Sequence, residues 1–211
     1  ARARHRLAYD ELFVIQLGAL LAKRDWQGAR AAEPIPVDPA RLQAFLGALP
    51  YSLTSAQRRV LDTILEDIQR SVPMIRLVQG EVGSGKTVVA AGALLMAAHA
   101  GMQGVLMAPT EILAQQHFRT FQSVFAAYSA TQPDDERPIT VRLLVGSTPK
   151  RERDELYERV ADGEVDVLVG THALIENDLE FKRLGLAVID EQHRFGVEQR
   201  ARLVQRGRNP H

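Results

Sequence analysis

The chain has 211 residues, enough for one compact domain with an added helical segment and too few for two large domains. Its apolar share of 45% and charged share of 25% are those of an ordinary globular protein, and 26 basic residues balance 26 acidic ones, so net charge singles out no partner. The absence of cysteine excludes disulfides, thiolate metal sites and thiol nucleophiles and fits a cytoplasmic setting; no apolar run reaches the roughly 20 residues of a membrane span, and Arg2, Arg4 and Arg6 lead into no signal-peptide core.

In chain order, Leu12, Phe13, Leu17, Leu20 and Leu21 recur at helical spacing and predict a packed opening helix that ends near Gly28. "AAEPIPVDPA" then reads as a linker, because its prolines cannot continue a helix. Asp38 caps and Pro39 starts a short helix carrying Leu42, Phe45, Leu46 and Leu49, which Pro50 stops. "TSAQ" at 54–57 has the form of a capping box, and Val60, Leu61, Ile64, Leu65 and Ile68 follow as one apolar stripe. From there, five short apolar runs alternate with helix-length segments: "MIRLVQ", "GVLMAP", "ITVRLLVG", "VDVLVG" and "LGLAVID". The helices between them are expected at 86–99, 111–128 and 150–160, and the polar stretch 131–138 reads as a mobile loop. This alternation predicts an α/β fold, a parallel sheet covered on both faces and preceded by a helical segment.

Two features carry chemistry. "GEVGSGKT", comprising Gly80, Glu81, Val82, Gly83, Ser84, Gly85, Lys86 and Thr87, fits the phosphate-loop pattern between an expected strand and an expected helix. Glycines let the backbone approach an anion, and the helix N-terminus supplies unpaired N–H groups with a favourable dipole. Lys86 would reach the β and γ phosphates and the Thr87 hydroxyl would hold Mg2+. Only four of the 26 basic residues are lysine, which sets Lys86 apart from background surface charge. The second feature is the acid pair that closes "LGLAVID" and opens "EQHRFGVEQR". In an open parallel sheet, ligands gather beyond the carboxyl ends of the strands, so Asp190 would face the metal while Glu191 orients the attacking water. A carboxylate pair after a strand is by itself more often solvated surface; the phosphate loop in the same sheet makes it a site for nucleoside triphosphate hydrolysis.

"LTSAQ", "GEVGSGKT", "APTEILAQQH", "LLVGS", "VGTHALI" and "DEQHRFGVEQR", in this order, resemble superfamily-two helicases of the RecG branch-migrating type. The resemblance covers nearly the whole chain. It implies that residues 51–211 form the first RecA-like lobe of an ATP-driven DNA motor, with residues 1–50 as the helical segment leading into it. It further implies that Gln57 reads adenine, that Lys86, Asp190 and Glu191 are catalytic with ATP and Mg2+, and that Gln192 and His193 couple nucleotide state to lobe movement. Thr110, Gly146, Ser147 and Thr171 fall where such motors touch the DNA backbone. The implied partners are branched DNA (forks and Holliday junctions) and the second RecA-like lobe and wedge domain of a longer parent. A start without Met and the close in "GRNPH" agree with a fragment, so weak nucleotide binding and nearly no turnover are expected of it alone.

Each assigned residue also has an architectural reading: Gln57 closes a capping box, Thr110 caps a helix, His193 packs, and Gly146 with Ser147 makes a turn. Two other functions stay open at this point. One is the motor lobe of a transcription-repair coupling translocase, although that family more often carries a second Glu after the acid pair and "PTT" in the third motif. The other is a phosphate-loop nucleotide-binding or kinase module, which would need neither "GTHALI" nor "APTEILAQQH". Glu81 and Tyr51 stand where Asp and Phe are commoner, and neither alters the chemistry.

Overall fold

The helices begin where local chemistry can satisfy their first free peptide N–H groups. Asp38 Oδ1 accepts from the N–H of Ala40 at 2.8 Å, and Pro39 opens α1 (Pro39–Ala48). Thr54 and Gln57 form a reciprocal capping box at the start of α2 (Ser55–Ile68). The phosphate loop runs into α3 (Lys86–His99), whose buried face is built from small and branched residues. β1 (Gln103–Met107) leads to α4 (Glu111–Ser129), where the Thr110 hydroxyl accepts from Leu113 N–H. β2 (Val141–Leu144), α5 (Lys150–Ala161), β3 (Val167–Gly170), β4 (Leu184–Ile189) and α6 (Val197–Gln205) complete the order, with single 3-10 turns at His172–Ile175 and Gln192–Arg194. The computed structural model describes residues 6, 9–18, 20, 21, 31–81, 83–133, 135–175, 179–207 and 209–211.

The four strands lie in the order β2-β3-β1-β4, and all their pairings are parallel. Alternate strand residues enter opposite cores, as a two-residue period requires. Leu106, Val167 and Val169 join the core under α1, α2, α3 and α4, whereas Val105, Met107 and Leu168 join the core under α5 and α6. Ile35, Leu42 and Phe45 belong to the first of these cores, so the chain from Ile35 onward packs on the sheet's helical layer. Gly92 lets α3 approach closely: a Cβ there would stand 3.1 Å from Leu61 Cδ1 and 3.4 Å from Phe45 Cε1.

Three expectations need correction. "MIRLVQ" is not a strand: it pairs with none of the four, and Ile75 and Leu77 are 68% and 65% exposed. An apolar run becomes a strand only beside a neighbour that takes its peptide groups. Here the outer edge of β4 is taken up instead by His211, whose N–H donates to Gly185 O and whose carbonyl accepts from Ala187 N–H, while Met74 N–H turns to His211 Nδ1. The opening stretch is helical over residues 9–18, but it is not packed: Leu12, Phe13, Leu17, Leu20 and Leu21 are all exposed. An apolar stripe states what gains from burial, not which surface buries it. Its expected end at Gly28 lies outside the described residues. The loop at 131–138 is pinned at its far end, with Glu136 paired to Arg41 and Arg137 to the buried Asp166; Asp134 lies outside the described residues.

Candidate functional site

All four strands end at one edge of the sheet, and the assigned residues follow them there. Thr110 comes after β1, Gly146 and Ser147 after β2, Thr171 after β3, and Asp190 and Glu191 after β4. Backbone bonds tie these turns together: Ala108 N–H donates to Gly170 O, Thr171 N–H to Leu144 O, and Asp190 N–H to Met107 O.

The phosphate loop closes on itself. Lys86 Nζ donates to the carbonyls of Gly80 and Glu81 at 2.8 and 2.9 Å, and Ser84 N–H to Glu81 O at 3.1 Å. Gly83 and Gly85 hold φ of 84° and 76°, a region that costs other L-residues about 1–2 kcal/mol. At Gly85 there is also no room, since a Cβ would overlap the side-chain amide nitrogen of Gln57. Gln57 serves two purposes. Its Oε1 accepts from Thr54 N–H at 2.7 Å in the capping box, and its Nε2 donates to Ser84 O at 2.8 Å, joining α2 to the loop. Thr87 is half-buried in the first turn of α3. Val82 lies outside the described residues.

Asp190 is held at both oxygens. Oδ1 accepts from Glu191 N–H at 3.0 Å, and Oδ2 lies 2.8 Å from Nε2 of His117 on α4. The hydrogen bond from His117 holds its carboxyl below the ordinary carboxylate range; burial opposes this, and the charge of Lys86 adds to it from across the site. Asp190 therefore stays ionised at neutral pH. Glu191 has φ of 46°, a left-handed conformation unusual for a glutamate and of the kind that clusters at functional sites. Its carboxylate is 3.8 Å from Arg194 Nε. Gln192 accepts from Arg200 Nη1 at 3.2 Å, and His193 is exposed on the 3-10 turn, which does not fit the packed reading of that histidine. Among the described residues no cluster of three His, Asp or Glu gathers. The donors available are the ionised carboxylate of Asp190, within reach of the Lys86 charge, and the hydroxyl of Thr87 in the first turn of α3, a set that suits magnesium, a cation held through one or two carboxylates plus substrate phosphates.

The other assigned residues form a second group. Glu111 Oε1 and Oε2 accept from Ser147 N–H at 3.0 Å and Ser147 Oγ at 2.7 Å, and these bonds hold the Glu111 carboxyl below its ordinary range. Gly146 is packed beside Glu111 and His172. Thr110, Gly146 and Ser147 are exposed, but Thr171 is 2% exposed and its hydroxyl has no hydrogen-bond partner among the described residues. Sequence reasoning missed His117 and Glu111. Both stand inside "APTEILAQQH", and their partners lie 73 and 36 residues away, so no local spacing reveals them. A cleft of about 630 Å³ lined by Phe181, Arg183, Gly185 and Pro210 opens at the other end of β4 and gathers none of the assigned residues.

Residues 54–209 match the family model of the DEAD/DEAH box helicases. The ATP-dependent DNA helicase RecG of Synechocystis is 46% identical over 209 residues, covering 99% of this chain and 24% of that protein. The RecG of Bacillus subtilis is 45% identical over 215 residues, covering 99% of this chain and 29% of that protein. A solved structure of RecG bound to a three-way DNA junction matches with a TM-score of 0.79 at 43% identity, over 92% of this chain and 25% of that one. The chain thus spans about a quarter of the length of the relatives it matches. Among the described residues no helix is long and apolar enough to cross a membrane.

Proposed function

The chain belongs to the DEAD/DEAH box helicase family, and from that premise we propose that it is the ATP-binding motor lobe of a RecG-type DNA helicase. In the whole protein, ATP hydrolysis would drive translocation on duplex DNA and remodel branched DNA, namely forks and Holliday junctions, in recombination and repair in the cytoplasm. Residues 51–211 form the lobe and residues 1–50 lead into it, with the end of that leader, from Ile35, packed on the lobe's core. The observation that carries this reading is the convergence of the phosphate loop and Asp190 at one sheet edge, in a chain 46% identical to a RecG helicase.

In this reading the backbone of residues 80–85 cradles the phosphates and Lys86 leaves the loop carbonyls to meet the β and γ oxygens. Thr87 and Asp190 hold Mg2+, which when bound neutralises charge developing on the phosphates. Glu191 places the attacking water in line, its exposed carboxylate leaving the 3.8 Å pair with Arg194 to face substrate. Gln57 reports adenine occupancy to the loop through Ser84, while Gln192 and His193 face the second lobe and couple nucleotide state to its movement. Thr110, Gly146 and Ser147 bind the DNA backbone. Thr171, whose side chain is buried, serves that surface by fixing the turn beneath it. The second lobe of the parent would complete the ATP site, so the lobe alone hydrolyses ATP very slowly, and the wedge domain would engage the branch point.

The test is ATPase activity of the full-length parent on forked DNA, with and without Glu191→Gln. Fork-stimulated turnover that this variant abolishes supports the reading. Wild-type turnover in the variant removes Glu191 from its role, and stimulation by a stalled RNA polymerase complex in place of forks assigns the lobe to a coupling translocase.

A further inference from the structure

Asp190 is only partly buried, with its side chain 26% exposed, so water alone could satisfy its carboxylate. Instead a histidine from another element is brought to it. His117 sits on α4, 14% exposed, with its ring tilted against Phe121 at a centroid distance of 6.4 Å, and that packing aims Nε2 at Asp190 Oδ2. Phe121 in turn packs on Phe125, both fully buried, so the ring rests on a rigid aromatic floor. With Oδ1 held by the Glu191 N–H and Oδ2 by the imidazole, the carboxylate plane cannot turn.

The same helix has a second grip. Glu111, in its first turn, holds the backbone N–H and hydroxyl of Ser147 in the turn after β2. Six residues later, about 9 Å along the axis, His117 holds the acid after β4. α4 thus carries both contacts on one helix, its first turn on the exposed Thr110–Ser147 surface and its second on Asp190.

We propose that His117 is a positioning residue for ATP hydrolysis: it fixes Asp190 in the orientation the metal needs and, through α4, makes that orientation depend on what occupies the Thr110–Ser147 surface. The proposal rests on the hydrolytic reading of Asp190. Its prediction is that loss of the imidazole slows turnover and weakens the response to DNA, while nucleotide binding, which rests on the phosphate loop, is spared.

The experiment measures steady-state ATPase of the full-length parent, its His117→Ala and His117→Gln variants, and Glu191→Gln as reference, with and without forked DNA and across a magnesium titration. His117→Ala is expected to lower DNA-stimulated kcat about 10–100-fold, to raise the magnesium concentration at half-saturation, and to leave KM for ATP within about twofold. His117→Gln, which presents an N–H at a similar reach, recovers most of kcat. Equal loss in the Ala and Gln variants overturns the proposal, as does a His117→Ala protein with a lowered melting temperature but unchanged kcat per folded molecule. A defect of the same size with and without DNA overturns the link through α4. Full activity in Glu191→Gln would instead count against the hydrolytic reading itself, so the two failures are told apart.

Discussion

Replacing Gly85 by alanine tests how the phosphate loop is held. The backbone there has φ of 76°, so any Cβ costs about 1–2 kcal/mol of local strain. That Cβ would also overlap Gln57 Nε2 and break its 2.8 Å bond to Ser84 O, a loss of about 1 kcal/mol. If nucleotide binds only the loop in its present shape, a cost of about 2–3 kcal/mol weakens binding roughly 30- to 150-fold. Gly83 supplies the control: its φ is 84° but a Cβ there meets nothing within 4 Å. Gly83→Ala should thus pay strain alone, roughly 5- to 30-fold. Titration of the 211-residue chain with a fluorescent ATP analogue, checked by thermal melts, gives both numbers. In a Gln57→Ala background the Gly85→Ala effect should shrink to the Gly83→Ala value, because the overlap is gone. Equal effects of the two single glycine variants, or an undiminished Gly85→Ala effect in that background, would refute the account of Gln57 as the strut behind the loop.

Further outcomes follow from other features. Phe45→Ala should lower the unfolding free energy by about 3–5 kcal/mol in urea titration, since Phe45 is fully buried against Gly92 of α3 and Tyr128 of α4; a loss below about 1 kcal/mol would mean that α1 is not part of the lobe's core. Glu191→Gly should raise stability by about 1 kcal/mol by relieving the left-handed strain, while Glu191→Gln leaves it unchanged, a contrast read in the same titration. Burial, reinforced by the Arg41 charge, holds His99 below its ordinary value, and burial does the same for His211. The unfolded chain then binds protons that the folded one does not, so the stability contribution is complete above about pH 6.5 and is lost as pH falls below that value through the lower folded values. The urea midpoint should be lower at pH 5.5 than at pH 7.5, and His99→Gln should flatten the slope.

What could be read in advance was what depends on neighbours in sequence. The starts of α1, α2 and α4 were legible because Asp38, Thr54 and Thr110 cap within three residues of themselves. The four paired strands were legible as apolar runs, and the phosphate loop as a fixed spacing. What failed or was missed depends on partners distant in sequence. "MIRLVQ" has strand composition, yet the peptide groups at the edge of β4 are met by His211. The opening helix has an apolar stripe, yet residues such as Leu12 and Phe13 stay exposed. His117 carries no local signal in sequence, because its significance comes from Asp190, 73 residues away across the sheet edge. The loop at 131–138 is polar and bounded by proline, but the partners that pin it, Arg41 and Asp166, come from elsewhere in the fold.

His211 pairs with the outer edge of β4 in parallel register, its N–H on Gly185 O and its carbonyl on Ala187 N–H. Beside it, Ile75 and Leu77 offer apolar surface to water. Exposed aliphatic groups that lie together are where one molecule adds itself to another. The chain should therefore self-associate through this apolar surface with rising concentration, and a gatekeeping charge in the form of Leu77→Lys should reduce that association in light scattering.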